Sequence, residues 1–364
     1  MKIIFTFYLF LAASFYLAAQ SPGSAQDTTL SGNTLSEVSD TVHVADFFES
    51  DDALKATLKY DITSFIKNKT KGEYIDAELQ VFYDENNPVI KNIRIKARGN
   101  FRRGQCTFPP LFLNFKTDKP DNPMYSDVKK VKIVTHCSAS KESEANVLRE
   151  YLAYKLYNVI TNRSFRVRLL DINYTDTGKK QKNYKAYGFA IEPAEIVVKR
   201  NNSVLVESPA ITGKNLVEED ADKAAMFQYM ISNTDWRIKS GHNTKFMKSM
   251  NDITDKLITL PYDFDFSGFV GASYTFPQEW SHTESIYDRD YLGYCRDKDE
   301  DYQKIIDLYI SKEKEVMQTI ADFKYLSEKD KEEVEKFTAG FYKEIKDSKD
   351  FIRKLKNDCH NFDF

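Results

Sequence analysis

The residues of this chain best suited to chemistry are Asp235 and Asn243 in "NTDWRIKSGHNTKF" (233–246), and Asp263 and Asp265 in "LPYDFDFSG" (260–268). An Asp that accepts or orients a hydroxyl proton, an Asn that holds a metal and a downstream Asp that holds metal and phosphate are the parts of a phosphoryl-transfer site, in the order Asp235, Asn243, Asp263. If 260–268 is extended, its period of two puts Asp263 and Asp265 on one face and Tyr262, Phe264 and Phe266 on the other. Two carboxylates on one face repel unless a cation or a donor lies between them, and oxygen-rich sites of this kind suit Mg²⁺ or Mn²⁺. The plainer alternative is a pair of turn-capping Asp residues ahead of Ser267 and Gly268. His242 could serve as a hydrolytic base, but neither a G-x-S-x-G elbow nor an H-E-x-x-H motif accompanies it, so it reads as a structural His beside a turn.

Phosphates also need positive charge. "IRIKARGNFRRGQCTFPP" (93–110) places Lys96 and Arg98 on one face of a strand that runs into Gly99, with Arg102 and Arg103 just beyond. Such a face can hold a polyphosphate through ion pairs, although the stretch is not a Walker loop. A solvated basic edge strand is the bland alternative.

The elements that would carry these groups follow from periodicity. Alternating runs at 53–62, 75–83, 89–99, 111–116 and 128–137 predict strands separated by Asn, Asp, Gly and Pro, forming a sheet with one solvated face. "SEANVLREYLAYKLYNVI" (143–160) predicts a helix capped by Ser143, and 166–176 with 184–192 predict a strand pair. Residues 218–232 begin acidic and turn apolar, as a helix does. From about 300 the chain is charged and helical. The expected class is α+β: a strand-rich N-lobe with one helix at 46–192 and a mainly helical C-lobe carrying the acidic metal site at 193–364, with a cleft between.

The opening "MKIIFTFYLFLAASFYLAAQSPGSAQ" predicts a cleaved signal peptide over 1–19, followed by a Ser/Thr/Asp/Gly-rich linker over 20–45. An exported protein is therefore expected, in periplasm, at the cell surface or outside the cell, with no membrane span in the mature chain. Lys and Arg total 52 against 55 Asp and Glu, so bulk charge gives no argument for nucleic acid as a partner. Cys106, Cys137, Cys295 and Cys359 lie far apart with no C-x-x-C spacing, which argues against structural zinc. They can form up to two disulfides, in three connectivities, or remain buried thiols.

Four stretches in order give the chain a resemblance to the CotH-type kinases, specifically to exported members of Bacteroidetes type: "RGNFRR" (98–103), "VLREYLAYKLYN" (147–158), "YGFAIE" (187–192), and the pair around Asp235 and Asp263. The resemblance covers about residues 50 to 300 and implies a two-lobed protein-kinase-like fold with a linking strand near Glu192. It further implies Asp235 as catalytic residue, Asn243 and Asp263 as metal ligands with Asp265 as an alternative, and Glu150 as partner of an N-lobe cation. The activity implied is transfer of phosphate from ATP, with Mg or Mn, to a protein hydroxyl. Two departures are visible. Asn243 follows Asp235 by eight positions where kinase catalytic loops use about five, so a longer loop must bring it back. Where the family tends to carry a lysine this chain has Pro109 and Pro110, so Lys96, Arg98 or Lys116 would have to hold the phosphates. The competing expectations are a catalytically inactive, pseudokinase-like binding module of the envelope, a phosphoester hydrolase using the same carboxylates, and a purely structural envelope protein.

Overall fold

The structure, a computed structural model, describes residues 46–84, 87–115, 129–207, 211–251 and 253–361. The expected signal peptide, the linker and Lys116 lie outside the described residues. No described helix is long and apolar enough to cross a membrane.

Seven strands form a closed barrel: β1 (Leu54–Tyr60), β2 (Ile75–Phe82), β3 (Val89–Ala97), β4 (Leu111–Asn114), β5 (Lys130–Val134), β6 (Val167–Asp176) and β7 (Tyr184–Ile191). Their order is β1-β2-β3-β4-β5-β7-β6, and the parallel pairing of β1 with β6 closes it. The alternation read from the sequence is what fills the barrel. Ile93 and Ile95 of β3, Leu111 and Leu113 of β4 and Ile133 of β5 all point into one buried core. The expectation of a sheet with one solvated face is thus corrected, because closure buries one face as an interior. The other face is outward, and part of it packs under a helix.

That helix is α3 (Lys141–Ile160), which starts two residues earlier than expected, because Ser140 is its cap and accepts from Ser143 N–H. Ser143 Oγ instead accepts from Cys137 and Ser138 N–H and braces the preceding turn. Two short helices, α1 (Ile62–Asn68) and α2 (Phe101–Gln105), also belong to the strand-rich segment, which therefore carries three α-helices among the described residues rather than one.

Beyond β7 come α4 (Ala194–Arg200), β8 (Ser203–Val206), α5 (Glu218–Met230), β9 (Thr244–Ser249) and β10 (Ile258–Pro261), with β8, β9 and β10 forming a small antiparallel sheet. Three helices finish the described chain: α6 (Asp299–Ala321), α7 (Glu328–Ile345) and α8 (Ser348–Asp358). A second core runs from Val134, Leu169 and Phe189 on the outer barrel face through α3 to α5, α6 and α7. α3 is therefore packed between the barrel and the C-terminal helices.

All four cysteines are paired. Cys106–Cys137 joins the end of α2 to the turn before α3, and Cys295–Cys359 joins the segment before α6 to the end of α8.

Candidate active site

One face of α3 organises the site. Glu150 and Tyr154, four residues apart, project the same way. Tyr154 Oη accepts the backbone N–H of Asp263 at 2.8 Å, and its ring lies 4.6 Å from that of the fully buried Phe264. The segment after β10 is not the extended strand that the alternation suggests. Asp263 has φ +65°, a left-handed backbone that costs a non-glycine residue about 1 kcal/mol. That kink turns Phe264 into the core and aims Asp263 and Asp265 at different partners.

Asp265 belongs to a closed cluster. Glu150 is 1% exposed, Asp265 4% and Arg102 7%, and the Arg102 guanidinium lies 3.5 Å from Glu150 and 3.8 Å from Asp265. Tyr274 Oη donates to Asp265 at 2.9 Å, and Arg102 donates to the Thr135 carbonyl at 2.5 Å. Burial, then Asp263, push the Asp265 carboxyl up to about 7 against the pull of Arg102. Burial and Asp265 likewise raise Glu150 well above the usual carboxylate range. Burial works against the charge of Arg102, but Tyr274, Asp265 and Glu150 outweigh it and hold the guanidinium protonated. α2 presents Arg102 because the Cys106–Cys137 bond ties that helix beside α3. Phe101 of α2 packs edge-on against Phe266, at 5.6 Å, on the same side.

Asp235, Asn243 and Asp263 form the open part. The eight-residue offset is absorbed by a small hairpin: Arg237 and His242 exchange backbone hydrogen bonds of 3.0 Å around a turn that uses Gly241 at φ +62°. Asn243 returns to place its amide N–H₂ on the Asp235 carbonyl at 2.7 Å and on its carboxylate at 2.8 Å. His242 Nε2 lies 2.8 Å from the other Asp235 oxygen, and that contact raises the imidazole pKa despite partial burial. Tyr262 N–H donates to the Asn243 carbonyl at 3.0 Å, so the Asp263 segment is joined directly to the hairpin. The Asp263 carboxylate and the Asn243 side-chain oxygen have no hydrogen-bond donor among the described residues.

Opposite them stand cations. Lys132 of β5 reaches over the Tyr262 ring at 4.7 Å. Burial, then repulsion from Arg98, lowers its pKa to about 8, with Asp263 pulling the other way. Arg98 prolongs the β3–β4 ladder through its N–H to the Pro110 carbonyl, and its Nε is buried without a partner. Lys132 was not anticipated, although "VKIV" just before the α3 sequence, a lysine in an apolar strand leading into a Glu-bearing helix, was a readable signal. Lys96 lies further along the same barrel face, with its ammonium 5.0 Å from the Tyr74 ring. Glu192 is buried after β7 and its carboxylate is already occupied by Arg200, at 2.9 and 3.0 Å, and by Arg166 N–H. Its side chain is thus a brace at the strand end rather than a group facing a ligand.

No group of three or more His, Cys, Asp and Glu among the described residues is placed to hold a metal ion. A cation completed by substrate phosphates needs fewer protein ligands. The free oxygens of Asp263 and Asn243 fit that role better than Asp265, whose acceptors face Arg102 and Tyr274. A more spacious concavity, about 660 Å³, lies between α3 and α6, and four of its lining charges pair with each other, Lys155 with Asp51 at 2.5 Å and Lys324 with Asp52 at 2.8 Å.

No family model matches the chain, and no curated protein matches it. Among solved structures it is similar to the crystal structure of a Helicobacter pylori proinflammatory kinase, CtkA, at 13% identity, covering 79% of this chain and 95% of that one with a TM-score of 0.33.

Proposed function

We propose that this protein is an exported, metal-dependent phosphotransferase of CotH-kinase type, with two lobes meeting at the cleft, that moves the terminal phosphoryl group of ATP to a protein hydroxyl. The observation that carries this reading is the hairpin that returns Asn243 to Asp235 beside the unpartnered Asp263 carboxylate, facing Lys132 and Arg98.

Asp235 takes the acceptor's proton as its oxygen attacks, and its bonds to Asn243 and His242 fix the carboxylate plane. Asp263 and the Asn243 side-chain oxygen would hold Mg²⁺ or Mn²⁺, which when bound neutralises phosphate charge. Lys132 and Arg98 meet the phosphate oxygens, and anionic phosphates relieve the mutual repulsion of these two cations. Both disulfides suit an exported protein.

The test is thermal shift of the mature protein with ATP, with and without Mg²⁺ or Mn²⁺, for the native chain and Asp263→Ala. A metal-dependent rise in melting temperature that the variant loses is expected. No rise with any metal would sink the reading.

One observation favours the inactive binding module instead. In protein kinases the helix Glu pairs with the phosphate-binding Lys, whereas here Glu150 meets Arg102. A nucleotide-dependent shift without transfer of labelled phosphate to any protein would select that module.

A further inference from the structure

The outer barrel face divides sharply by charge. On β1 and β2 its cations meet carboxylates across the strands: Lys59 faces Glu78 at 2.8 Å, and Arg94 of β3 lies 3.7 Å from Asp76. From β3 to β5 this alternation stops. The register sets Lys96 opposite Phe112 and Phe112 opposite Lys132, with Arg94 opposite Asn114 and Asn114 opposite Lys130. Arg94, Lys96, Lys130 and Lys132 therefore share one face of three adjacent strands. Three of them gather on a single ring: Lys96, Arg94 and Lys130 lie 5.0, 5.5 and 6.0 Å from the centre of Tyr74. Lys96, Lys130 and Lys132 have no carboxylate at ion-pair distance among the described residues.

Protection of a sheet edge would explain a basic strand, but the barrel is closed and β3, β4 and β5 are each paired on both sides. Gathering like charges across neighbouring strands costs stability, so the arrangement needs a compensating anion. Lys96 and Lys130 stand on strands either side of β4, yet their ammonium groups lie 5.0 and 6.0 Å from one ring centre, close enough together for carboxylates of a single acidic segment to reach both. The strip ends at Lys132, above Tyr262 and next to Asp263.

We propose that this strip docks an acidic, extended polypeptide segment, with its carboxylates on Lys96 and Lys130. Resting on the phosphotransfer reading, that segment belongs to the acceptor protein and leads its hydroxyl toward Asp235.

The experiment is fluorescence anisotropy of a labelled (Glu-Ser)₆ peptide and its (Gln-Ser)₆ analogue on the mature chain. Binding of the Glu peptide alone is expected, weakened at least about tenfold in Lys96→Gln/Lys130→Gln and weakened again by raised salt. Lys130→Gln alone should give an intermediate loss, and an unchanged melting temperature shows that the variants fold. Saturating ATP with Mg²⁺ should leave the peptide bound. Unaltered affinity in the double variant overturns the proposal, as does full displacement by ATP, which would make the strip part of the nucleotide's own site. Binding of a sulfated glycan with none of the Glu peptide also overturns it. Peptide binding in a chain that shows no nucleotide response supports the docking strip while removing the phosphotransfer reading.

Discussion

Two clusters of acidic side chains lie against the same face of α3, and they are built in opposite ways. In Arg102–Glu150–Asp265 one guanidinium serves two carboxylates, a tyrosine hydroxyl serves one of them, and water is almost excluded. In the Asp235–Asn243–Asp263 group the backbone is left-handed at Asn243 and Asp263, and Lys132 and Arg98 face it as mutually repelling cations. The closed cluster sets its charges against one another within the protein, with Glu150 Oε1 and Arg102 Nε left buried without a hydrogen-bond partner among the described residues. The open one keeps uncompensated charge and local strain, the condition of a site that awaits a ligand. The adjacent segment 262–266 serves both, through the kink at Asp263.

If this division holds, removing the centre of the closed cluster should have the largest effect on stability. Arg102→Met leaves two buried carboxylates without a cation and is expected to cost about 3–5 kcal/mol in urea unfolding. Adding Glu150→Gln and Asp265→Asn should return much of it. An unchanged midpoint for Arg102→Met would break the comparison. Next in size is the bond that holds α2 in place. Cys106 and Cys137 are separated by 31 residues, and replacing both by Ser should cost about 3 kcal/mol. Reducing agent should weaken the native chain further than the Ser variant, which has already lost this bond and keeps only Cys295–Cys359.

The barrel strands and long helices were legible because period two and period 3.6 report burial directly, as at Ile93 and Ile95 or Val147 and Tyr151. Barrel closure was not, since the pairing of β1 with β6 joins segments more than a hundred residues apart. The short α1, α2 and α4, of one to two turns, fall below the length at which periodicity speaks. In the site, Asp235, Asn243 and Asp263 were visible as residue types in order. Their convergence depends on a hairpin whose only local signal is Ser240-Gly241. Alternation misread Asp265, because a single positive φ at Asp263 overrides the strand period. The role of Arg102 was hidden too, since a disulfide bond and the turn before α3 bring it to Glu150, and sequence spacing shows neither.

Strain at the open cluster gives a test of opposite sign. Asp263→Gly suits φ +65° and removes a carboxylate that raises the pKa of both Asp265 and Glu150, so the variant should gain about 1 kcal/mol of stability while losing the metal-dependent nucleotide shift. A loss of stability instead would mean that Asp263 is held by the fold rather than kept for a ligand.

The smallest expected effect is at His242, and pH reveals it. The hydrogen bond to Asp235, opposed by partial burial and aided by the charges of Asp235 and Asp263, raises the folded-state pKa of this imidazole. A raised folded value means that the folded protein binds the proton more tightly than the unfolded chain. The stabilisation is then fully present below about pH 6.5, the ordinary histidine value, and is lost as pH rises through the folded one. His242→Gln should therefore be less stable than the native chain at pH 5.5, by under about 1 kcal/mol because the pair is half exposed, and the gap should close by pH 8.5. Denaturant melts across that range measure it. A gap that stays constant to pH 8.5 would show that His242 braces the hairpin by packing on Trp280, whose ring lies 6.0 Å away, and not by its charge on Asp235.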